Sequence, residues 1–190
     1  MSSQSVPPGF VDAWAFEGEP TLAGPVPDGF HVTSVSRLIG HGVDDARVAG
    51  DAVLGWQVHR GSGFVPLQVP DRVQVGVIST WAIPFGLLRP RVACKVVRVL
   101  RDEPVDEIAG GPRPLPRATG FLHAALLGHP QRGWESYLVT HHPDDRVTLD
   151  VRVVWRPGAW WMRLAGPASG IALRLLLRRN LRALDPVLRG

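Results

Sequence analysis

The sequence predicts an α+β fold in which a curved antiparallel β-sheet wraps around a long C-terminal helix. Successive strand-like segments are joined by turns that are too short for the crossover connections of parallel strands. The chain then ends in a segment whose leucines recur every three or four residues, as on one face of a helix. Because this face has to be buried, we expect it to pack on the concave side of the sheet. The 190 residues suffice for one domain with a sizeable core.

The chain divides into two regions. Residues 1–29 hold several prolines and glycines and show no sustained periodicity, which is typical of an irregular N-terminal arm. Residues 30–190 form the predicted single domain. The N-terminus lacks the basic start and apolar run of a secretory signal, and no segment has the length of uninterrupted apolar residues that a membrane span requires. We therefore expect a cytoplasmic protein.

Each element of the domain follows from a local pattern. Asp44 or Asp45 is placed to cap the first helix, and apolar residues alternate with polar ones in the strands. In the last strand this alternation puts Val147, Leu149, Val151, Val153 and Trp155 on one face. The predicted elements are a strand over 30–40, a helix over 44–58, strands over 72–81, 91–102, 118–127, 134–142 and 146–157, and a helix of about 20 residues from near Ser169 that Pro186 ends.

The net charge of +4 is unevenly distributed along the chain. The segment 151–184 contains seven arginines and no acidic residue, so it carries +7 and leaves −3 for the rest. We interpret this charge as the solvent side of the terminal helix, with Lys95 and Arg156 as the basic residues that face inward. A nucleic-acid partner is not expected, because the helix lacks aromatic residues for base stacking. A membrane surface is a weaker expectation than a small ligand, because the leucine face is committed to the core.

Several classes of catalytic site are excluded by the motifs. Cys94 is the single cysteine, so there is no internal disulfide framework and no cysteine-rich zinc site. The chain contains no nucleophile-elbow motif, no phosphate-binding glycine loop and no dinucleotide fingerprint. The histidine pair His141–His142 lies in a predicted turn, where solvated polar residues are common. We expect neither a metal nor a cofactor.

The hairpin from Gly120 to His141 concentrates the remaining polar candidates. Glu135 shares a strand face with Tyr137, and an acid on an apolar face needs a partner because burying an unpaired carboxylate is costly. The other parity is equally compatible with the pattern, since the segment FLHAALL is apolar on both faces and a shift of one residue would turn Glu135 to solvent. The candidate ligand-binding residues are Lys95, His123, His129, Glu135, Tyr137, Trp155 and Arg156.

The same hairpin resembles a known family. The run GFLHAALLGHPQRGWESY is similar to the signature of the DUF1990 proteins, in which glycine, histidine and proline form the turn. The matching positions are Gly120, Phe121, Leu126, Gly128, His129, Pro130, Gly133 and Glu135, and the similarity extends over about residues 20–185. This chain departs from the pattern at His123, at Ala124–Ala125 and at Trp134, so the resemblance implies a more apolar site here. It also implies that Lys95, His129, Glu135 and Arg156 act as one polar group.

The order of the elements resembles the helix-grip fold of the START and Bet v 1 superfamily, which suggests a cavity between sheet and helix. We therefore expect a protein that binds a small apolar or amphipathic ligand in that space, with Glu135, Tyr137 and a histidine orienting it. An alternative is a cofactor-independent cyclase, hydratase or isomerase that uses Glu135 with His123 or His129 as acid and base. The sequence leaves the oligomeric state open.

Overall fold

The computed structural model describes residues 5–14, 16, 18–84, 89–106, 114–165 and 167–188. Within these ranges the predicted α+β architecture is confirmed, with a large antiparallel sheet and C-terminal helices. The strands are β1 (Val11–Trp14), β2 (His31–His41), β3 (Val65–Gln68), β4 (Ile78–Ala82), β5 (Arg91–Pro104), β6 (Arg117–Leu127), β7 (Gln131–His141) and β8 (Arg146–Pro157). The helices are α1 (Gly42–Leu54), α2 (Gln57–Gly61), α3 (Trp160–Ala165), α4 (Pro167–Asn180) and α5 (Asp185–Leu188).

The sheet is open and antiparallel throughout. Its strand order is β2-β8-β7-β6-β5-β4-β3, and β1 pairs with β6 beside this path. Tight connections join β6 to β7 and β7 to β8, as the short turns predict. The inner face of the sheet carries the main core, which includes the five apolar residues of β8 that the alternation places together. Helices α1, α2 and α4 supply the other side of this core.

The first helix is shorter than predicted. It ends at Leu54, because Trp56 takes a left-handed conformation with φ of 65° that an α-helix cannot contain. A second short helix, α2, then begins at Gln57. Asp45 accepts a hydrogen bond from the backbone N–H of His41 at 2.8 Å, so this carboxylate does lie at the helix start.

The prediction of a strand over residues 72–81 was wrong for the first half of that range. Only Ile78–Ala82 is a strand, and residues 75–76 form a turn in which Gly76 has φ of 85°. Val73 is fully buried whereas Val75 is 65% exposed, so the valines that alternate here do not share one sheet face. The strand β3, which pairs with β4, was not predicted.

The terminal helix also differs from the prediction. α4 ends at Asn180, and a turn of residues 181–184 separates it from α5. Pro186 lies in the first turn of α5, where its missing N–H costs little, and so it does not terminate the long helix. Arg37 on β2 fixes this end of the chain, because its guanidinium lies 2.6 Å from Asp185 Oδ1 and also donates to the carbonyl of Leu181.

The N-terminal arm contains a strand, although its composition predicted an irregular segment. β1 pairs with the end of β6, and Phe16 packs on the outer face of the sheet with its side chain 8% exposed. There it meets a second apolar cluster formed by Leu122, Ala124, Trp134 and Val154. The central strands are therefore covered on both faces.

Candidate functional site

The pairing of β6 with β7 builds the polar site on the inner face. His123 lies directly opposite Glu135, and Phe121 lies opposite Tyr137. Residues two apart on a strand share a face, so these four side chains project to the same side. Tyr137 and Phe121 belong to the main core, which places Glu135 on the inner face as well.

Glu135 has two polar neighbours within the sheet. The Tyr137 hydroxyl donates to Glu135 Oε2 at 2.7 Å. His123 Nε2 lies 3.5 Å from the same oxygen, a distance that allows an ion pair but exceeds a normal hydrogen bond. The side chain of His123 is 3% exposed, whereas that of Glu135 retains 24% exposure. One carboxylate oxygen is thus held by the protein, and part of the group remains accessible.

The carboxylate stays ionised despite its surroundings. Burial is the largest single effect and favours the neutral acid. The interaction with His123 and the hydrogen bond from the Tyr137 hydroxyl together outweigh it and lower the pKa of Glu135 to about 2. The same site raises the pKa of Tyr137 well above its usual value, through burial first and the Glu135 charge second. At neutral pH the pair is a phenol donating to a carboxylate.

His59 completes the site from α2. Its ring centroid lies 4.9 Å from that of Tyr137 and 5.6 Å from that of His123. Burial, and then the positive charge of a protonated His123, lower the pKa of His59 to about 3, so its imidazole is neutral. Sequence reasoning missed this residue because the predicted helix ended at Val58. Continuing the buried helical spacing of Ala49, Val53 and Trp56 by three residues would have found it.

Two further hydrogen bonds connect the site to the terminal helix. Asn180, the last residue of α4, is 1% exposed, and its Nδ2 donates to the Tyr137 hydroxyl at 3.5 Å. Ser62, just after α2, donates to Asn180 Oδ1 at 2.6 Å. The position of Tyr137 therefore depends on three separate elements of the chain.

His129 lies in the turn between β6 and β7. Its Nδ1 accepts a hydrogen bond from the backbone N–H of Gln131 at 2.9 Å, which fixes the turn. Burial lowers the pKa of His129 to about 4, although the charge of Glu135 opposes this. The imidazole also lines the cavity beside Glu135, so the two roles considered for this residue are structurally compatible.

The accessible side of Glu135 faces a small cavity at the turn end of the hairpin. Its volume is about 10 Å³, which is room for about one water molecule. Cys94, His123, His129, Gly133 and Glu135 are among its lining residues. Burial and then the Glu135 charge raise the pKa of Cys94 well above the ordinary value, so the thiol stays protonated and is not an activated nucleophile.

This cavity is not in the predicted place. Among the side chains that the structure describes, none from α4 lines it. Beneath the end of α4, buried rings fill the concave side of the sheet, where neighbouring rings have centroids 4.9 to 6.0 Å apart. These rings are Trp56, His59, Phe121 and Tyr137. Helix α2 supplies the filling, because the left-handed turn at Trp56 directs two aromatic rings into this space.

Two predicted site residues lie on the opposite face of the sheet. Lys95 Nζ is 2.8 Å from the carboxylate of Asp12 in the arm. The Arg156 guanidinium stacks over the ring of Phe30, 4.7 Å from its centroid. The prediction that these two side chains face inward was wrong, because Lys95 pairs with Ala124 and Arg156 with Arg132, positions one residue out of phase with His123 and Glu135.

The remaining candidates have structural partners of their own. Trp155 is on the inner face, but its indole N–H donates to Thr33 Oγ1 at 3.2 Å and it does not line the cavity. His141 Nε2 is 3.1 Å from Asp145 and His142 Nε2 is 2.9 Å from Thr148. In the ranges that the structure covers, no group of three His, Cys, Asp or Glu residues is arranged to hold a metal.

Solved structures share this architecture at low sequence identity. The protein Ara h 8.0201 is 10% identical, the match covers 85% of this chain and 100% of that protein, and the TM-score is 0.51. A point mutant of norcoclaurine synthase from Thalictrum, in complex with a transition-state analogue, is 11% identical over 87% of this chain and 100% of its own, with a TM-score of 0.52. The KanY protein is 11% identical, the match covers 85% of this chain and 99% of that protein, and the TM-score is 0.53. These similarities confirm the helix-grip fold and show the fold alone.

Sequence comparison is more specific. No curated protein matches the chain. The profile of the family described as "Domain of unknown function (DUF1990)" matches residues 17–183, which include the paired strands that carry His123, Glu135 and Tyr137. A match over this length covers most of the domain and the whole of the candidate site, and the chain therefore belongs to the DUF1990 family.

Proposed function

We propose that the protein binds a small amphipathic molecule whose polar head enters the cavity beside Glu135. The observation that supports this most strongly is an ionised carboxylate, 24% exposed, on the largely apolar inner face of the sheet. A carboxylate in such a position attracts a cationic or hydrogen-bond-donating head group. The ligand class is thus an amine or a polyfunctional alcohol that carries an apolar body.

The histidines next to Glu135 favour a polar guest. Neither ring nitrogen of His123 makes a hydrogen bond of normal geometry within the described residues, and Nδ1 of His59 lacks one as well. Buried polar atoms without partners are rare in folded proteins, and they commonly mark a place where water or a ligand is held. A single hydroxyl, which both donates and accepts, would satisfy the carboxylate and a histidine together, and an ammonium would pair with the carboxylate.

The shape of the site limits how the ligand lies. The cavity admits only the head, because its volume is about 10 Å³. The apolar body would leave the cavity past His129, Gln131 and Arg132, which line it and are partly exposed. This position replaces the one expected from the sequence, in which the ligand lies beneath the terminal helix.

Binding is better supported than acid–base catalysis. A general base works best when its pKa is close to the working pH. The pKa of Glu135 is about 2 and that of His59 about 3, so both are weak bases at neutral pH. A charge that stays fixed suits recognition of a ligand more than transfer of a proton.

The test is native mass spectrometry of the purified protein, followed by thermal-shift measurements with long-chain amines and alcohols. We expect a bound mass or a stabilising ligand with the wild type, and loss of both in Glu135→Gln, which keeps the shape and removes the charge. Glu19→Gln changes an exposed carboxylate of the arm and should leave binding intact. Equal binding by the wild type and Glu135→Gln, or no binding by either, would contradict the proposal.

A further inference from the structure

The two C-terminal helices expose apolar side chains to solvent. On α3, Trp160 is 71% exposed and Leu164 is 78% exposed. On α4, Ile171 is 59% exposed and Leu175 is 55% exposed. Side chains four residues apart lie on the same face of a helix, so each helix presents an apolar pair. A neighbouring residue, Trp161, adds a partly exposed ring.

These exposed residues are not part of the leucine face that the sequence predicts for the core. That face is formed by Leu173 and Leu177, which are 8% and 1% exposed. Ile171 and Leu175 lie on the other side of α4. Because α4 has apolar residues on both sides, burial of one face leaves the second available.

The same C-terminal segment carries exposed arginines. The exposed arginines of this region are Arg163, Arg174, Arg178, Arg179 and Arg182. Within the described ranges none of them forms an ion pair with an acidic side chain. The sequence from 151 to 184 contains no acidic residue, so the positive charge here is not neutralised locally.

We propose that this surface, formed by the exposed apolar and arginine side chains of α3 and α4, docks on an anionic lipid bilayer. The apolar pairs would enter the boundary between head groups and acyl chains, and the arginines would stay at the level of the phosphates. Tryptophan is a common residue at this depth because its ring is apolar and its N–H is polar. No helix in the described part of the chain is long and apolar enough to cross the membrane, so the contact is with the surface.

A second copy of the chain fits this surface poorly. In a two-fold dimer the same patch would face itself, and the arginines would meet arginines without any acid to separate them. A nucleic acid would pair with the arginines but would leave Ile171, Leu164 and Leu175 without apolar contacts. The combination of aliphatic pairs and unneutralised arginines is what an anionic lipid surface complements.

Co-sedimentation with vesicles tests whether this surface docks on an anionic bilayer. We expect the full-length protein to bind vesicles of phosphatidylcholine mixed with phosphatidylserine, to bind pure phosphatidylcholine much more weakly, and to lose affinity as salt is raised. Arg174→Gln with Arg178→Gln should weaken binding roughly 25-fold, since each basic residue near such a surface contributes about fivefold. Ile171→Ser with Leu175→Ser should weaken it at least about tenfold.

Matched controls distinguish docking from general adsorption. Val75→Ser and Arg47→Gln change exposed residues outside this surface and should bind like the wild type. Circular dichroism melting checks that every variant is folded. The proposal is overturned if the serine variant binds as well as the wild type, if neutral vesicles bind equally, or if no vesicle binds. Tighter binding to a single-stranded oligonucleotide, or a dimer in light scattering that the serine substitutions dissociate, would overturn it too.

Discussion

Glu135 shows how a single carboxylate can remain charged on an apolar face. Burial alone would favour its protonated form. The Tyr137 hydroxyl at 2.7 Å and His123 at 3.5 Å favour the ionised form and prevail. Burial and then the charge of Glu135 raise the pKa of Tyr137, whereas burial chiefly lowers the pKa of His59 and the charge of Glu135 opposes that lowering. The site therefore holds one fixed negative charge beside the neutral phenol of Tyr137 and the neutral imidazole of His59.

Acid should destabilise the protein through His59. The pKa of this histidine is about 3 in the fold against an ordinary 6.5, chiefly because it is buried. Between these values the unfolded chain binds a proton that the folded chain does not, so the stability is fully present above pH 6.5 and declines as the pH falls through this window. One proton corresponds to a slope of roughly 1.4 kcal/mol per pH unit.

Urea unfolding between neutral pH and about pH 4 measures this slope. His59→Gln should unfold with a slope smaller by about one proton, whereas His31→Gln, at an exposed position, should match the wild type. His129 is only half-buried and adds to the wild-type slope in the same direction. An unchanged slope in His59→Gln would show that this imidazole is not held neutral in the fold.

Alkali should destabilise the protein through Tyr137, as acid does through His59. Its pKa is raised by burial and by the charge of Glu135, so its contribution to stability is present below the unfolded pKa of about 10 and is lost as the pH rises further. Tyr137 is the only tyrosine in the chain, so ultraviolet absorbance reports this group alone. We expect no tyrosinate signal until the protein unfolds, and ionisation at lower pH in Glu135→Gln. A native titration near pH 10 would contradict the buried hydrogen bond.

At the scale of elements, the sheet could be predicted because its strands alternate and its turns are short. The direction of Glu135 could not be read from the same pattern. The alternation fails in β6 because Leu122 and Ala124 are buried under the arm while Phe121 and His123 are buried under the helices. A strand covered on both faces has no polar side to fix the parity. The strand predicted across Val73 and Val75 was wrong for a different reason, because a turn at Gly76 interrupts the alternating segment.

The break after α4 likewise depends on contacts that are distant in sequence. The leucine spacing continues past Asn180, so it predicts a single helix. In the structure Asn180 is buried against Ser62 and Tyr137, and Asp185 pairs with Arg37. These partners lie more than 40 residues away along the chain. No local periodicity could therefore place the end of α4.

The hairpin that carries Glu135 depends on Gly133. This residue has φ of 131°, and a Cβ there would overlap the carbonyl of Val154 on β8. Gly133→Ala should therefore destabilise the protein by about 3 kcal/mol or more, because it adds a backbone clash to an unfavourable conformation. Gly76→Ala has a similar positive φ but open space around it, and should cost only about 1 kcal/mol. Chemical denaturation of both variants makes the comparison, and equal losses would mean that close packing against β8 is unimportant.

At the scale of the whole molecule, the fold consists of three layers. The helices cover the inner face of the sheet, and the N-terminal arm covers much of the outer face. The outer cluster is aromatic, with the ring of Phe16 5.2 Å from Trp134 and 6.2 Å from Phe30. Since the Glu135 site lies on β6 and β7, whose outer residues form this cluster, the arm supports the site from behind.

The arm should therefore contribute directly to the stability of the domain. Phe16→Ala removes a ring that is 8% exposed and leaves a cavity over Leu122, Trp134 and Val154. We expect a loss of about 3 kcal/mol in the free energy of unfolding. Val11→Ala, at a residue of β1 that is 56% exposed, should change it by less than about 0.5 kcal/mol. Equal small losses in both variants would mean that the arm does not pack on the sheet in solution, and the tryptophan fluorescence of Phe16→Ala would then match that of the wild type.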